Sequence, residues 1–118
     1  MKASTVISSC DTLKPNDYSY EQKREWLDKI ESDIRIFAGL YSEEKPSLEF
    51  INDDNPELLL DKNEILIYVY FIISMIDLSD LEYSLYNNSS TFFNDAFDTW
   101  KRSWRMKHKP NCNTKTTF

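Results

Sequence analysis

The run Tyr86-Asn87-Asn88-Ser89-Ser90-Thr91-Phe92-Phe93-Asn94-Asp95-Ala96-Phe97-Asp98-Thr99-Trp100-Lys101-Arg102-Ser103-Trp104-Arg105 decides the fold. Phe93, Ala96, Phe97, Trp100 and Trp104 step by three or four residues, the spacing of one helix face. Asn87-Asn88-Ser89-Ser90 is expected to make a turn or kink before that helix, because Asn and Ser side chains compete for backbone groups in a helix interior. Pro110 is expected to stop the helix. Glu82, Asn87, Asn88 and Asn94 are candidates for a buried polar network where the last two helices meet, with simple turn chemistry as the alternative.

Upstream, Asp61 and Glu64 have capping-box spacing and open the apolar run from Ile65. That run extends at most to Ile76 or Leu78, short of the roughly 18 to 20 residues that span a bilayer, so it reads as a buried helix. Residues 42 to 60 break the helical pattern with Pro46, Pro56 and Asn52-Asp53-Asp54-Asn55. They form an extended loop between the second and third helices, with a short strand allowed over Ser47 to Ile51. Before it, Ser19 and Gln22 form a second capping pattern, followed by Trp26 or Leu27, then Ile30, Ile34, Phe37 and Tyr41 at helical spacing. Lys23, Arg24, Asp28, Lys29 and Glu31 are assigned to the solvated face of that helix. A first short helix carries Val6, Ile7, Cys10 and Leu13, capped by Ser4 or Thr5 and closed by Lys14-Pro15-Asn16.

The expected fold is therefore all-α, a small bundle of about four helices. Residues 1 to 110 form one domain, and 111 to 118 form a polar tail. Trp26, Ile30, Ile34, Tyr68, Ile72, Phe93, Phe97 and Trp100 are the expected core. One glycine in 118 residues is too few for a turn-rich fold.

Charge is divided along the chain. Residues 1 to 100 hold all 20 acidic and 8 of the 14 basic residues, a net of −12, and residues 101 to 118 hold the other six basic ones, giving −6 overall. A basic end of this kind suits an acidic partner surface or nucleic acid. Part of the bias also follows from cations favouring a helix C-terminus. Lys101, Arg102, Arg105, Lys107 and Lys109 are thus candidate contacts to a neighbouring subunit or to DNA. Trp100 and Trp104 alternate with these cations, as on single-strand binding surfaces, but they align with the core stripe.

Catalytic chemistry is poorly served. A single glycine excludes phosphate-cradling loops. His108, the only histidine, lies between Lys107 and Lys109, which oppose a metal ion, and Cys10 and Cys112 lack partners at zinc-site spacing. Asp53-Asp54 and Asp77-Asp80 read as caps or solvated faces, and no strand-turn nucleophile motif frames a serine. No enzyme activity, cofactor or metal is expected. Met1 to Leu13 lacks the apolar region of a secretory signal, so free thiols in a reducing cytoplasm are the expectation.

Two blocks of the chain resemble a family of small structural proteins of tailed bacteriophages and prophages, the head-tail connector or neck proteins. In the first, Asp11-x-Leu13-Lys14-Pro15-Asn16, Tyr18, Glu21-Gln22-Lys23 and Trp26-Leu27 match the family's opening. In the second, Tyr68-x-Tyr70, Ile76-Asp77, Glu82-Tyr83, Tyr86-Asn87-Asn88, Phe93-Asn94, Phe97, Arg105 and His108-x-Pro110 match its closing helices. The resemblance implies a helical virion subunit, assembled in the host cytoplasm into a homo-oligomeric ring, dodecameric in the family. It implies partners in the portal and other neck or tail proteins, transient non-specific contact with passing DNA, and no membrane. Two other readings stand beside it: a nucleic-acid-associated helical phage protein and a regulatory protein-binding module.

Overall fold

The computed structural model describes residues 1 to 108. Four helices carry the architecture: α1 (Ala3–Leu13), α2 (Tyr20–Gly39), α3 (Ile65–Ser79) and α4 (Tyr83–Lys107). The all-α fold expected from the periodicity is present. Among the described residues there is no strand, only one antiparallel bridge between Lys2 and Glu57.

The core forms around α3, which is apolar on nearly every side. Tyr68, Val69, Ile72 and Ile76 are buried there against Val6, Ile7 and Cys10 of α1 and Leu27, Ile30 and Ile34 of α2. Burying each such aliphatic side chain contributes about 1.5–3 kcal/mol, so α3 is the hydrophobic axle of the molecule. Of the expected core, Ile30, Ile34, Tyr68, Ile72 and Trp100 are buried, whereas Trp26, Phe93 and Phe97 are half-buried at its rim. The radius of gyration, 15.7 Å, exceeds the roughly 13 Å of a compact chain this long. The 25-residue α4, about 37 Å of helix, accounts for much of that elongation.

Several local expectations need correction. The cap of α1 is Lys2, not Ser4 or Thr5, and its side chain does not participate. The first helical N–H groups are satisfied by the loop instead: Ala3 N donates to Pro56 O (3.0 Å) and Ser4 N to Asn55 Oδ1 (2.9 Å). Leu13 is exposed. Ser19 does cap α2, accepting from Gln22 N at 3.0 Å, but the Gln22 side chain turns to Glu25 rather than back to Ser19. Ser47 to Ile51 is not extended, and Glu49–Asn52 makes a 3₁₀ turn.

The long connection is held down rather than projecting. Arg24 donates to Asp54 O (2.9 Å) and Phe50 O (3.2 Å), and Arg35 donates to Ser47 O (2.8 Å) and Glu57 O (3.0 Å) with its guanidinium 4.5 Å from the Phe50 ring centroid. Two arginines of α2 thus replace the intrachain ladder that irregular backbone lacks.

Glu31 and Lys23, assigned to the solvated face, are buried. Glu31 is fully enclosed: Oε2 accepts from Arg35 Nε (2.6 Å) and Leu59 N (2.8 Å), and Oε1 accepts from the Tyr68 hydroxyl (2.5 Å), which accepts in turn from Leu60 N (3.2 Å). Burial, with the Glu31 carboxylate alongside, raises the Tyr68 pKa far above that of a free phenol, so the hydroxyl stays a donor. Lys23 spans from α2 to Asp11 of α1 at 2.7 Å. Asn16 closes the α1–α2 turn, bonding Asp11 Oδ1 and Lys14 O and accepting from Tyr18 N.

Candidate assembly surface on the last helix

The turn expected at Asn87 to Ser90 is absent, and α4 runs unbroken from Tyr83 to Lys107. The true break lies at Asp80-Leu81-Glu82. There Leu81 N bonds Leu78 O (3.0 Å) and Glu82 N bonds Asp77 O (2.9 Å), the paired bonds of a Schellman ending, with Leu81 at φ 60° where glycine is usual. The chain has no glycine to mark the spot, and leucine takes up the strain.

Asp77, expected as a cap or a solvated acid, is buried at this junction. It accepts from Lys14 Nζ (2.5 Å) and from Ser89 Oγ (2.8 Å), tying α1, α3 and α4 together. Ser89 is therefore an inward contact rather than a turn residue. The bond to Asp77 raises the Lys14 pKa. Nearby, the Tyr18 hydroxyl donates to Asp80 Oδ1 (2.6 Å) and its ring meets Trp26 edge-on at 5.3 Å. Lys14 and Tyr18 thus tie the segment between α1 and α2 to the α3–α4 junction.

The inner stripe of α4 is aromatic. Phe93 packs on Phe71 (5.2 Å), Trp100 on Phe37 (5.6 Å) and Phe97 (5.9 Å), Trp104 on Trp100 (5.4 Å), and His108 stacks on Trp104 at 3.8 Å. Only Ser89 and Trp100 of the helix are buried, so α4 leans on α3 along one side and leaves the other open.

The proposed junction network does not form. Glu82, Asn87, Asn88 and Asn94 are all exposed, and none of their side chains makes a hydrogen bond among the described residues. The junction draws on Asp77 and Ser89 instead, because these lie on the inner stripe while positions 87 and 94 are rotated well away from it. The candidate cations also divide. Lys101 folds back, 3.6 Å from Asp98 and 4.5 Å from the Phe97 ring centroid. Arg102 and Arg105 point outward with no ion pair among the described residues. Lys107 borders a cleft, and Lys109 lies outside the described residues, as does the expected tail.

That cleft, about 240 Å³, lies between residues 59–64 and the last turns of α4. Glu64 and Trp104 are among its walls, and Glu64 Oε2 and Trp104 Nε1 are closed off from solvent without a hydrogen-bond partner in the described chain. Burial raises the Glu64 pKa and the neighbouring Asp61 carboxyl raises it further, while Glu64 and the Asn63 N–H lower that of Asp61. A second, more apolar groove of about 650 Å³ continues from it along Ile67, Tyr70, Phe92 and Ala96. The Asp61–Glu64 spacing was legible in the sequence; its position beside Trp104 was not.

Among the described residues no group of three or more His, Cys, Asp or Glu is placed to hold a metal ion, and no helix is long and apolar enough to cross a membrane. Burial pushes the Cys10 thiol up to about 11, leaving a poor nucleophile. No protein-family model, no curated protein and no solved structure matches the chain.

Proposed function

We propose that this chain is a non-enzymatic structural subunit of a tailed-phage neck, assembling with copies of itself into a ring that joins the portal of the head to the tail around the DNA passage. The observation that carries this reading is the one-sided seating of α4, which leaves a 25-residue helix with an open, polar outer face ending in Arg102 and Arg105. Such a face serves a partner better than a monomer, because its amides weaken the helix without contributing to the fold. An acidic body and a basic helix end also supply two different complementary patches, as a head-to-tail ring requires. The likeness of residues 11–27 and 68–110 to neck proteins supplies the virion context.

Arg102→Glu combined with Arg105→Glu tests the reading. The double variant should fold as a subunit and fail to enter particles or rings under the electron microscope. Normal assembly would sink it. The same two arginines favour a second reading, contact with nucleic acid, because their guanidinium groups are exposed and free of ion pairs among the described residues. That reading requires duplex DNA to bind the isolated chain with affinity falling steeply as salt rises.

A further inference from the structure

We propose that α4 pairs with α4 of a second copy of the chain, antiparallel and about a two-fold axis, along the stripe Asn88, Phe92, Asp95, Thr99, Arg102 and Met106. This contact goes beyond the ring reading above, because it joins like patches rather than unlike ones.

The stripe has the spacing of a helix-pairing seam. Its residues alternate steps of four and three, the repeat that keeps one face of a helix turned towards a partner. All six are exposed, and they lie about 130° round α4 from the aromatic stripe that rests on α3. Phe92 and Met106 are 57% and 74% exposed, so two large apolar side chains of one stripe stand in water. The adjoining stripe, Asn87, Thr91, Asn94, Asp98, Lys101 and Arg105, has the same spacing and no apolar side chain, as a solvated face does.

The order of residues names the occupant. Phe92 and Met106 stand seven residues to either side of Thr99, with Asp95 four before it and Arg102 three after. Reversing the helix therefore sets Asp95 against Arg102 and Phe92 against Met106, twice over, with the compact Thr99 at the axis. A parallel pairing in register sets acid on acid and base on base, which repulsion disfavours. Neither Asp95 nor Arg102 has an ion pair among the described residues, so neither gives one up on pairing.

The groove of about 650 Å³ beside α4 extends the seam to α3. Phe92, Asp95 and Thr99 line it together with Leu66 and Tyr70, whose ring lies 5.3 Å from that of Phe92. A helix laid on the stripe also covers Leu66, which is exposed, so pairing withdraws apolar surface of both helices from water.

Sedimentation velocity of the full chain over a range of concentrations tests the seam, with circular dichroism checking that each variant is folded. The parent chain should reach a dimer. Asp95→Arg leaves two bases on the stripe and Arg102→Asp leaves two acids, so each alone should dimerise at least about tenfold more weakly. Mixed in equal amounts, the two variants should recover parent-like affinity as a 1:1 dimer, since every acid then meets a base. Arg105→Asp, on the adjoining stripe, should dimerise like the parent. A parent chain that stays monomeric, a mixture that recovers nothing, or equal losses in Arg105→Asp and Arg102→Asp would overturn the seam. Recovery as larger rings rather than a dimer would overturn it too, while supporting the head-to-tail reading.

Discussion

The inner face of α2 and the outer face of α4 both carry polar residues in mid-helix, and they use them in opposite ways. On α2, Glu31 is sealed in and every oxygen is matched, by Arg35, Tyr68 and the Leu59 amide. On α4, Asn87 and Asn94 face outward with no partner among the described residues. The first arrangement converts a costly buried charge into a clamp on the chain that follows. The second leaves donors and acceptors available to something outside the subunit. Polar residues in a helix thus report on where the fold is complete and where it is open.

Removing the Glu31 carboxylate should break the comparison most severely. Glu31→Ala leaves the half-buried Arg35 guanidinium, the Tyr68 hydroxyl and the Leu59 N–H uncompensated, and it should cost about 3–5 kcal/mol in urea unfolding. Asp77→Ala should come next, at about 2–4 kcal/mol, because Lys14 is less enclosed than Arg35 and recovers part of its hydration. The Asp77 pair also gives a pH signature. The Lys14 pKa is raised in the folded state, so its stabilisation is complete below the ordinary lysine value and fades as pH rises through the raised one. Alkaline melting curves should show a smaller loss in Asp77→Ala than in the parent protein, the remainder coming from Tyr68 and Cys10, whose raised pKa values also disfavour the fold at high pH. At the other extreme, Asn87→Ala with Asn94→Ala should raise monomer stability by about 0.5–1 kcal/mol through helix propensity alone. A loss of stability in that variant would show that these amides belong to the fold.

The sequence made the four helices legible because apolar spacing is a strong signal in α1, α2 and α4. Glu31 was missed because a lone acid in an amphipathic helix is usually solvated. The signal was nonetheless present: Lys23, Leu27, Glu31 and Ile34 follow the i, i+4, i+8, i+11 spacing of a single face, and the period outranked the charge. The α3–α4 turn was misplaced for the converse reason. Asn87 to Ser90 has turn-like composition, yet Tyr86, Ser89 and Phe93 continue the helical stripe, while the actual reversal at Leu81 carries no glycine or proline. The loop was expected to extend because nothing in residues 42 to 60 announces Arg24 and Arg35, which grip it from another element. The cleft was beyond reach for the same reason, since Glu64 and Trp104 come together only when α4 lies back along α3.

The Glu31 clamp also bears on time rather than equilibrium. Its partners Leu59 and Tyr68 lie 28 and 37 residues further along the chain, so the carboxylate is dehydrated only after a long loop has closed. Loop closure of that length costs entropy before the clamp returns anything. Glu31→Ala is accordingly expected to speed unfolding more than it slows folding, as read from the two arms of a urea chevron. The arginine-bound connection is in that sense a bolt thrown last, governing how long a finished subunit endures rather than how fast it is made.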